Sequence, residues 1–237
     1  MISKLLIGLA RLIIIIAVPV LLVIGFTRLA MTPQFLQFEY NRTGFPADFY
    51  GFTTTDRLAY GPLGVDYILN GEDIRFLANR RLPASLCYLP EANAIDCPMF
   101  NELELKHMED VKFVATAVFL AGLGIAMFSV ASVCYLLYSE RQLLLLRSVM
   151  QGSLLTLSLI IAIIAVALAA WDLFFDTFHA LFFEDGTWRF YYSDTLIRLY
   201  PEQFWFDASL LIGTLTTISA LALLALTWNA SRRLTSK

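Results

Sequence analysis

Four long apolar segments dominate the distribution of hydrophobic and polar residues along the chain. Uncharged residues run without interruption over 12–27, 113–139, 148–171 and 208–231. A helix that crosses a bilayer needs about 20 apolar residues, and Arg11 and Arg28 at the ends of the shortest run can extend to the interfaces. The pattern therefore predicts four transmembrane helices, at residues 8–30, 112–138, 147–171 and 207–229.

Positive charge gathers on one side of these predicted helices. Lys and Arg beside transmembrane segments favour the cytoplasmic side. Glu140 is the acid on that side, and its basic residues are Lys4, Arg11, Arg141, Arg147, Arg232, Arg233 and Lys237. We therefore expect residues 1–237 to form one integral membrane domain with both termini in the cytoplasm. The segments 31–111 and 172–206 are then extracytoplasmic.

The second of these segments is unusually rich in aromatic residues. Its large rings are Phe174, Phe175, Phe178, Phe182, Phe183, Trp188, Phe190, Tyr191, Tyr192, Tyr200, Phe204, Trp205 and Phe206. Aromatic rings are favoured at the membrane–water interface, so they either anchor helix ends or cover a pocket for lipid chains. The predicted fold class is an all-α membrane protein with four transmembrane helices, whose two extracytoplasmic segments form a helical, aromatic-rich cap.

Composition adds limits on the function. The chain is 58% hydrophobic and 16% charged, and its net charge of −3 averages a basic inner side and an acidic outer side. No basic face remains, so we expect no nucleic-acid partner. Cys87 and Cys97 lie ten residues apart in the first outer segment, and the sequence leaves open whether they form a disulfide.

The chain has two histidines, His107 and His179, and each has carboxylates at helical spacing. Glu104 and Asp110 flank His107; Asp172 and Asp176 precede His179. Ionisable groups close to a membrane are functional candidates, and imidazole titrates near neutral pH. A carboxylate that holds one ring nitrogen leaves the other free to act as a base. This pattern indicates acid–base chemistry at both histidines.

Other chemistries have weaker support. No H-E-x-x-H or other short-range His pair is present, so metal binding is not indicated, and no G-x-S-x-G elbow or P-loop occurs. If the histidines catalyse a reaction, we expect the nucleophile to belong to the substrate. We expect neither a metal nor another cofactor.

Two groups of motifs resemble the bacterial lipoprotein intramolecular transacylase (Lit) family. In the first outer segment they are Phe38-Glu39-Tyr40, Gly44-Phe45-Pro46-Ala47-Asp48-Phe49-Tyr50-Gly51-Phe52, Asp56-Arg57 and Glu104-Leu105-Lys106-His107-Met108-Glu109-Asp110-Val111-Lys112. In the second they are Phe178-His179-Ala180-Leu181-Phe182-Phe183, Gly186-Thr187-Trp188, Asp194-Thr195-Leu196-Ile197 and Tyr200-Pro201-Glu202. The resemblance covers nearly the whole chain, with residues 83–98 as an insertion.

The resemblance implies an acyltransferase of the bacterial cytoplasmic membrane whose site is on the outer face. Its partners are membrane lipid and lipoproteins with a diacylglyceryl group on the sulfur of the N-terminal cysteine. The sn-2 acyl chain moves to the α-amine of the same cysteine and leaves a lyso-form lipoprotein. The family's two histidines correspond to His107 and His179. Supporting or substrate-binding candidates are Arg57, Glu104, Asp110, Asp176, Trp188 and Asp194, of which Arg57 and Trp188 are candidates to stabilise the oxyanion.

Two alternatives stay open on the sequence. One is a four-span membrane protein without enzymatic activity, whose outer segments bind a partner. The other is a metal-dependent membrane hydrolase.

Overall fold

Helices account for most of the chain. A computed structural model describes residues 2–87 and 97–236, and within those ranges an isolated bridge between Arg81 and Pro98 is the sole β-type pairing. The α-helices, numbered in chain order, are α1 (Ile2–Ala30), α2 (Pro33–Tyr40), α3 (Thr54–Leu69), α4 (Arg75–Ala78), α5 (Glu102–Tyr138), α6 (Gln142–Ala169), α7 (Trp171–Phe182), α8 (Thr195–Leu199) and α9 (Glu202–Thr235).

Helices α1, α5, α6 and α9 are each long and apolar enough to cross a membrane. The predicted all-α class with four transmembrane helices is confirmed. Most of these helices exceed the predicted spans because their polar end turns continue the helix; α5, for example, begins at Glu102, well before its apolar run starts at Phe113. We treat the four uncharged runs as the membrane-spanning parts.

The described residues group into two compact units. Unit 1 comprises the described parts of Met1–Arg28, Val118–Ala170 and Leu210–Lys237, and unit 2 those of Leu29–Ala117 and Trp171–Ser209. The prediction of one integral membrane domain stays a prediction.

Within unit 1, Gly152 of α6 allows a close approach to α1. A Cβ atom at this position would lie 2.9 Å from the carbonyl oxygen of Ile15 and 2.9 Å from the side chain of Val18. Small residues let transmembrane helices pack backbone against backbone, where dispersion contacts accumulate. One turn away, Arg11 Nε donates to Ser148 Oγ at 3.3 Å. The two helices are therefore joined by close packing and by a side-chain hydrogen bond.

Buried polar groups hold unit 2 together, and Arg198 of α8 is the most connected of them. Its Nε pairs with the Asp48 carboxylate at 3.1 Å, and its Nη2 and Nη1 donate to the carbonyls of Tyr50 at 3.1 Å and Leu86 at 3.2 Å. The guanidinium also lies 3.6 Å from the centroid of the Phe52 ring. A buried charge is tolerated when it is paired and hydrogen-bonded. Arg198 thus links Asp48, Tyr50 and Leu86 to α8.

A covalent bond follows directly after Leu86. Cys87 and Cys97 form a disulfide, which answers the question that the sequence leaves open. Beside it, the Leu82 amide donates to the Cys97 carbonyl at 3.0 Å. Residues 88–96, the centre of the predicted insertion, lie outside the described part of the chain.

Candidate active site

The two histidines come together in unit 2. His107 lies in the second turn of α5 and His179 in the last turns of α7. Their imidazole rings are nearly parallel, with 6.3 Å between centroids and an interplanar angle of 26°. Residues 72 positions apart in the sequence therefore form one pair of neighbouring imidazoles.

Five aromatic side chains contact the pair. One of them, Phe178, is exposed and meets His179 edge-on at 5.6 Å. We call the other four the aromatic box: Phe175, Phe183, Trp188 and Phe190. Phe183 and Phe190 meet His107 edge-on at 4.9 and 5.3 Å between centroids. Phe175 and Trp188 cover His179 at 4.1 and 4.8 Å, with Trp188 stacked. The box gives the two histidines an apolar environment.

The apolar environment lowers the pKa of both imidazoles and so favours their neutral form. Both lie outside the uncharged runs that span the membrane, and His107 is 8% exposed. Burial, assisted by His179, lowers the pKa of His107 to about 4 against a weaker opposing effect of Asp110. Burial also lowers the pKa of His179, although its hydrogen bond to a carbonyl and the nearby Asp176 act in the other direction. A neutral imidazole can accept a proton.

The hydrogen bonds identify which ring atoms are available for chemistry. Nδ1 of His179 lies 2.7 Å from the carbonyl oxygen of Phe175 one turn earlier. Because only a protonated Nδ1 can donate to that oxygen, neutral His179 has its lone pair on Nε2. Nδ1 of His107 and Nε1 of Trp188 are both buried and have no hydrogen-bond partner in the described part of the protein. Such groups are costly unless a ligand satisfies them.

The carboxylates expected around the histidines have other partners. Glu104 is fully buried and accepts the backbone N–H of Asn101 at 2.8 Å and of Leu196 at 2.6 Å. Burial raises the pKa of Glu104 to about 7. The carboxylate caps the start of α5 and also binds the first turn of α8. Glu104 thereby fixes the helix turn that presents His107.

The remaining predicted carboxylates lie at the edge of the site. Asp110 pairs with Lys106 at 2.8 Å, Asp176 with Arg189 at 3.6 Å, and Asp194 accepts the Tyr191 amide at 2.8 Å. The sequence led us to expect a carboxylate on one nitrogen of each imidazole. For His179 the structure has a backbone carbonyl at that nitrogen instead, because the i−4 carbonyl of the same helix is within reach.

Arg57, predicted to support an oxyanion, is engaged elsewhere in unit 2. Its Nε donates to the Arg198 carbonyl at 2.8 Å and its Nη1 to the Pro46 carbonyl at 2.6 Å. The guanidinium also lies over the Phe45 ring at 5.1 Å. These contacts give Arg57 a part in holding loop and helix together. Trp188, the other predicted oxyanion donor, is part of the aromatic box.

The phenylalanines of the box are not among the residues predicted for the site. Phe175, His179 and Phe183 follow one another at four-residue spacing, which places them on one face of a helix. This spacing indicates that the two phenylalanines flank His179. The many other aromatic residues in the same segment make the spacing hard to recognise.

Comparisons with known proteins identify the family of this chain. The sequence profile of the family described as "Lipoprotein intramolecular transacylase Lit" matches residues 9–205. An uncharacterized protein of Aquifex aeolicus (strain VF5) is 30% identical over 197 residues, which is 83% of each chain. The structure of the membrane integral lipoprotein intramolecular transacylase Lit from Bacillus cereus has a TM-score of 0.75 at 18% identity, and the match covers 100% of this chain and 99% of that one. A structure of the same Bacillus cereus protein with one histidine replaced by arginine has a TM-score of 0.71 at 18% identity and covers 100% and 97%. The chain belongs to the lipoprotein intramolecular transacylase (Lit) family.

Proposed function

We propose that this protein moves the sn-2 acyl chain of a diacylglyceryl-cysteine lipoprotein to the α-amine of the same cysteine, with His107 and His179 as the catalytic residues. Family membership makes the chain an acyltransferase that acts on lipoproteins. One observation carries the assignment of the site: two neutral imidazoles lie 6.3 Å apart inside an apolar box that also holds unpartnered polar atoms.

His179 is the general base in this proposal. An α-amino group has a pKa of about 7.7–8.0 and is mostly protonated at neutral pH, so it must lose a proton before it attacks an ester. The lone pair on Nε2 of His179 is suited to take that proton, since Nδ1–H donates to the Phe175 carbonyl. The same nitrogen then returns one proton to the sn-2 oxygen as the C–O bond breaks. The second proton that the ammonium group loses on becoming an amide passes to solvent.

His107 and Trp188 stabilise the negative charge that develops on the ester carbonyl. Both offer a buried ring nitrogen without a partner, and donors aimed in advance at a developing oxyanion give large rate effects. A neutral His107 protonated on Nδ1 donates to the oxyanion, and the indole N–H of Trp188 supplies a second hydrogen bond.

The reaction needs no nucleophile from the protein. Attacking amine and accepting ester belong to one lipid-modified cysteine, so the enzyme has to hold them in reacting geometry. Intramolecular arrangement of this kind can lower a barrier by roughly 7–11 kcal/mol. The new N–C bond replaces the sn-2 O–C bond, and the products are an N-acyl cysteine and a free hydroxyl on the same molecule.

The location of the site is also part of the proposal. The basic residues at the helix ends favour cytoplasmic termini, and residues 31–111 and 172–206 then lie on the outer face of a bacterial cytoplasmic membrane. Diacylglyceryl-modified lipoproteins reach the site from the surrounding membrane lipid.

Mass spectrometry of lipoprotein N-termini tests the proposal. In a bacterial host without N-acylation, the wild-type chain should convert diacylglyceryl-cysteine to the N-acyl lyso-form. His107→Ala and His179→Ala should each abolish this product at equal expression, and exposed Tyr192→Phe should retain it. Unmodified diacylglyceryl-cysteine in cells with well-expressed wild-type protein would refute the proposal, as would full conversion by both histidine variants.

A further inference from the structure

Phe183 packs beside the two proposed catalytic histidines and contacts both of them. Its ring centroid lies 4.9 Å from that of His107 and 5.8 Å from that of His179. Its backbone N–H donates to the carbonyl of His179 at 2.8 Å, directly after the end of α7. The ring therefore covers one side of the space between the imidazoles, and its backbone hydrogen bond ties it to His179.

The base that serves the acyl shift can also promote a competing reaction, hydrolysis of the sn-2 ester. A neutral imidazole that takes a proton from an amine can also take one from water. Water would then form an O–C bond to the acyl carbonyl, the sn-2 O–C bond would break, and the proton would pass to the sn-2 oxygen. The products would be a free fatty acid and a lyso-lipoprotein that keeps its α-amine. Closed active sites suppress such side reactions by excluding water.

Aromatic packing shields the histidines from water to different extents. His107 and Trp188 are buried, whereas His179 is half-buried. Phe190 meets His107 edge-on, and Phe175 packs against His179. On the same stretch of chain, Leu181 is 74% exposed. Phe178, which meets His179 edge-on, is exposed as well, whereas Phe183, which contacts both imidazoles, is half-buried. Phe183 therefore shields a side of the histidine pair that the exposed side chains leave open.

We propose that Phe183 is a specificity-determining residue that keeps water from the space between His107 and His179, so that the acyl chain passes to the amine and not to water. This inference rests on the proposed acyl shift. It assigns the protein a latent esterase activity toward the same sn-2 ester, which the Phe183 ring suppresses.

The test is the partition of products from a synthetic diacylglyceryl-cysteine lipopeptide with a free α-amine, turned over in H₂¹⁸O by purified protein. We expect Phe183→Ala to raise the ratio of free fatty acid to N-acyl product by about tenfold or more over wild type. The fatty acid should contain one ¹⁸O atom, which identifies water as the acceptor. Phe183→Leu, which keeps an apolar side chain of similar size, should stay near the wild-type ratio.

Leu181→Ala is the matched control, because it removes a similar apolar volume from an exposed position and should leave the ratio unchanged. If Phe183→Ala does not fold, Phe183→Val opens a smaller gap and should shift the ratio in the same direction. A ratio unchanged from wild type in folded Phe183→Ala or Phe183→Val overturns the inference, as does an equal rise in Leu181→Ala. Absence of N-acyl product from wild type refutes the proposed function instead, so the two failures are distinguishable.

Discussion

The imidazole of His179 stacks on the indole of Trp188, with 4.8 Å between ring centroids and an interplanar angle of 27°. The indole is buried, and its Nε1–H has no acceptor in the described residues. Stacking holds a hydrogen-bond donor beside the proposed base before substrate arrives. A donor fixed in this way does not have to reorganise when charge develops.

Removal of this donor should slow the chemical step. Trp188→Phe keeps an aromatic ring next to His179 but lacks the N–H, so we expect kcat to fall about 10²–10³-fold, as for other single oxyanion donors. KM should change little because the donor acts on the transition state. Trp205→Phe, at a half-exposed position, serves as the control. Unchanged kcat in folded Trp188→Phe would exclude the indole from oxyanion stabilisation.

The pair should titrate below the ordinary range of histidine. Burial lowers the pKa of His107 to about 4 and lowers that of His179, whereas an ordinary histidine is about three-quarters protonated at pH 6. In ¹⁵N-histidine-labelled protein without a histidine tag, His107 should show the neutral-form shifts from pH 8 to pH 6, and the midpoint of His179 should lie below about 6.5. The single His→Ala variants assign the signals. Midpoints near the ordinary pKa of 6.5 would contradict the burial of the pair.

The same pKa shifts should lower the free energy of unfolding at acidic pH. An imidazole whose pKa is lowered by folding binds its proton more readily in the unfolded chain. Acidification below about 6.5, the ordinary pKa of histidine, therefore favours unfolding, and the effect grows until the folded-state pKa of His107 near 4 is reached.

Much of the fold could be predicted from the sequence. Charged residues are unfavourable inside a bilayer, so long uncharged runs locate the membrane-spanning helices. The uncharged runs identify α1, α5, α6 and α9, and local caps such as Asn101 mark where α5 begins. The two histidines could also be identified, since ionisable residues are rare in the apolar stretches at the membrane boundary.

The partners of the charged site residues could not be predicted in this way. Glu104 lies one turn before His107, but its carboxylate binds the amide of Leu196, which is 92 residues later. Arg57 likewise donates to backbone carbonyls of distant segments. Helical spacing reports only neighbours on the same helix, and backbone acceptors supplied by the tertiary structure leave no pattern in the sequence.

Arg57 should therefore matter for stability more than for catalysis. Arg57→Lys keeps the positive charge but loses the fork that reaches the carbonyls of Pro46 and Arg198. We expect a loss of about 1.5–3 kcal/mol in the free energy of unfolding, measured by thermal or denaturant unfolding in detergent. The exposed Arg75→Lys should have no measurable effect. If Arg57→Lys kept wild-type stability but lost activity, the residue would belong to the catalytic site, as the sequence first indicated.

Close packing of α3 against Tyr200 should make Gly64 hard to replace. A Cβ atom on Gly64 would lie 2.5 Å from Tyr200 Oη, and that hydroxyl donates to the Gly61 carbonyl, so it cannot move away freely. We expect Gly64→Ala to cost about 1–3 kcal/mol in unfolding free energy. Gly71→Ala, with open space around it, should stay within about 0.5 kcal/mol. Equal stability of the two variants would contradict the packing described for α3.

A crossover experiment tests the central claim, an acyl shift within one lipoprotein assisted by two histidines, most directly. Two diacylglyceryl-cysteine lipopeptides that differ in peptide mass, one with a deuterated sn-2 chain, are mixed and turned over by purified enzyme, and the N-acyl products are weighed by mass spectrometry. The account predicts that the deuterated chain appears only on the peptide that originally carried it, and that His179→Ala forms no product. Deuterium on the other peptide, or N-acyl product from His179→Ala at the wild-type rate, would contradict it.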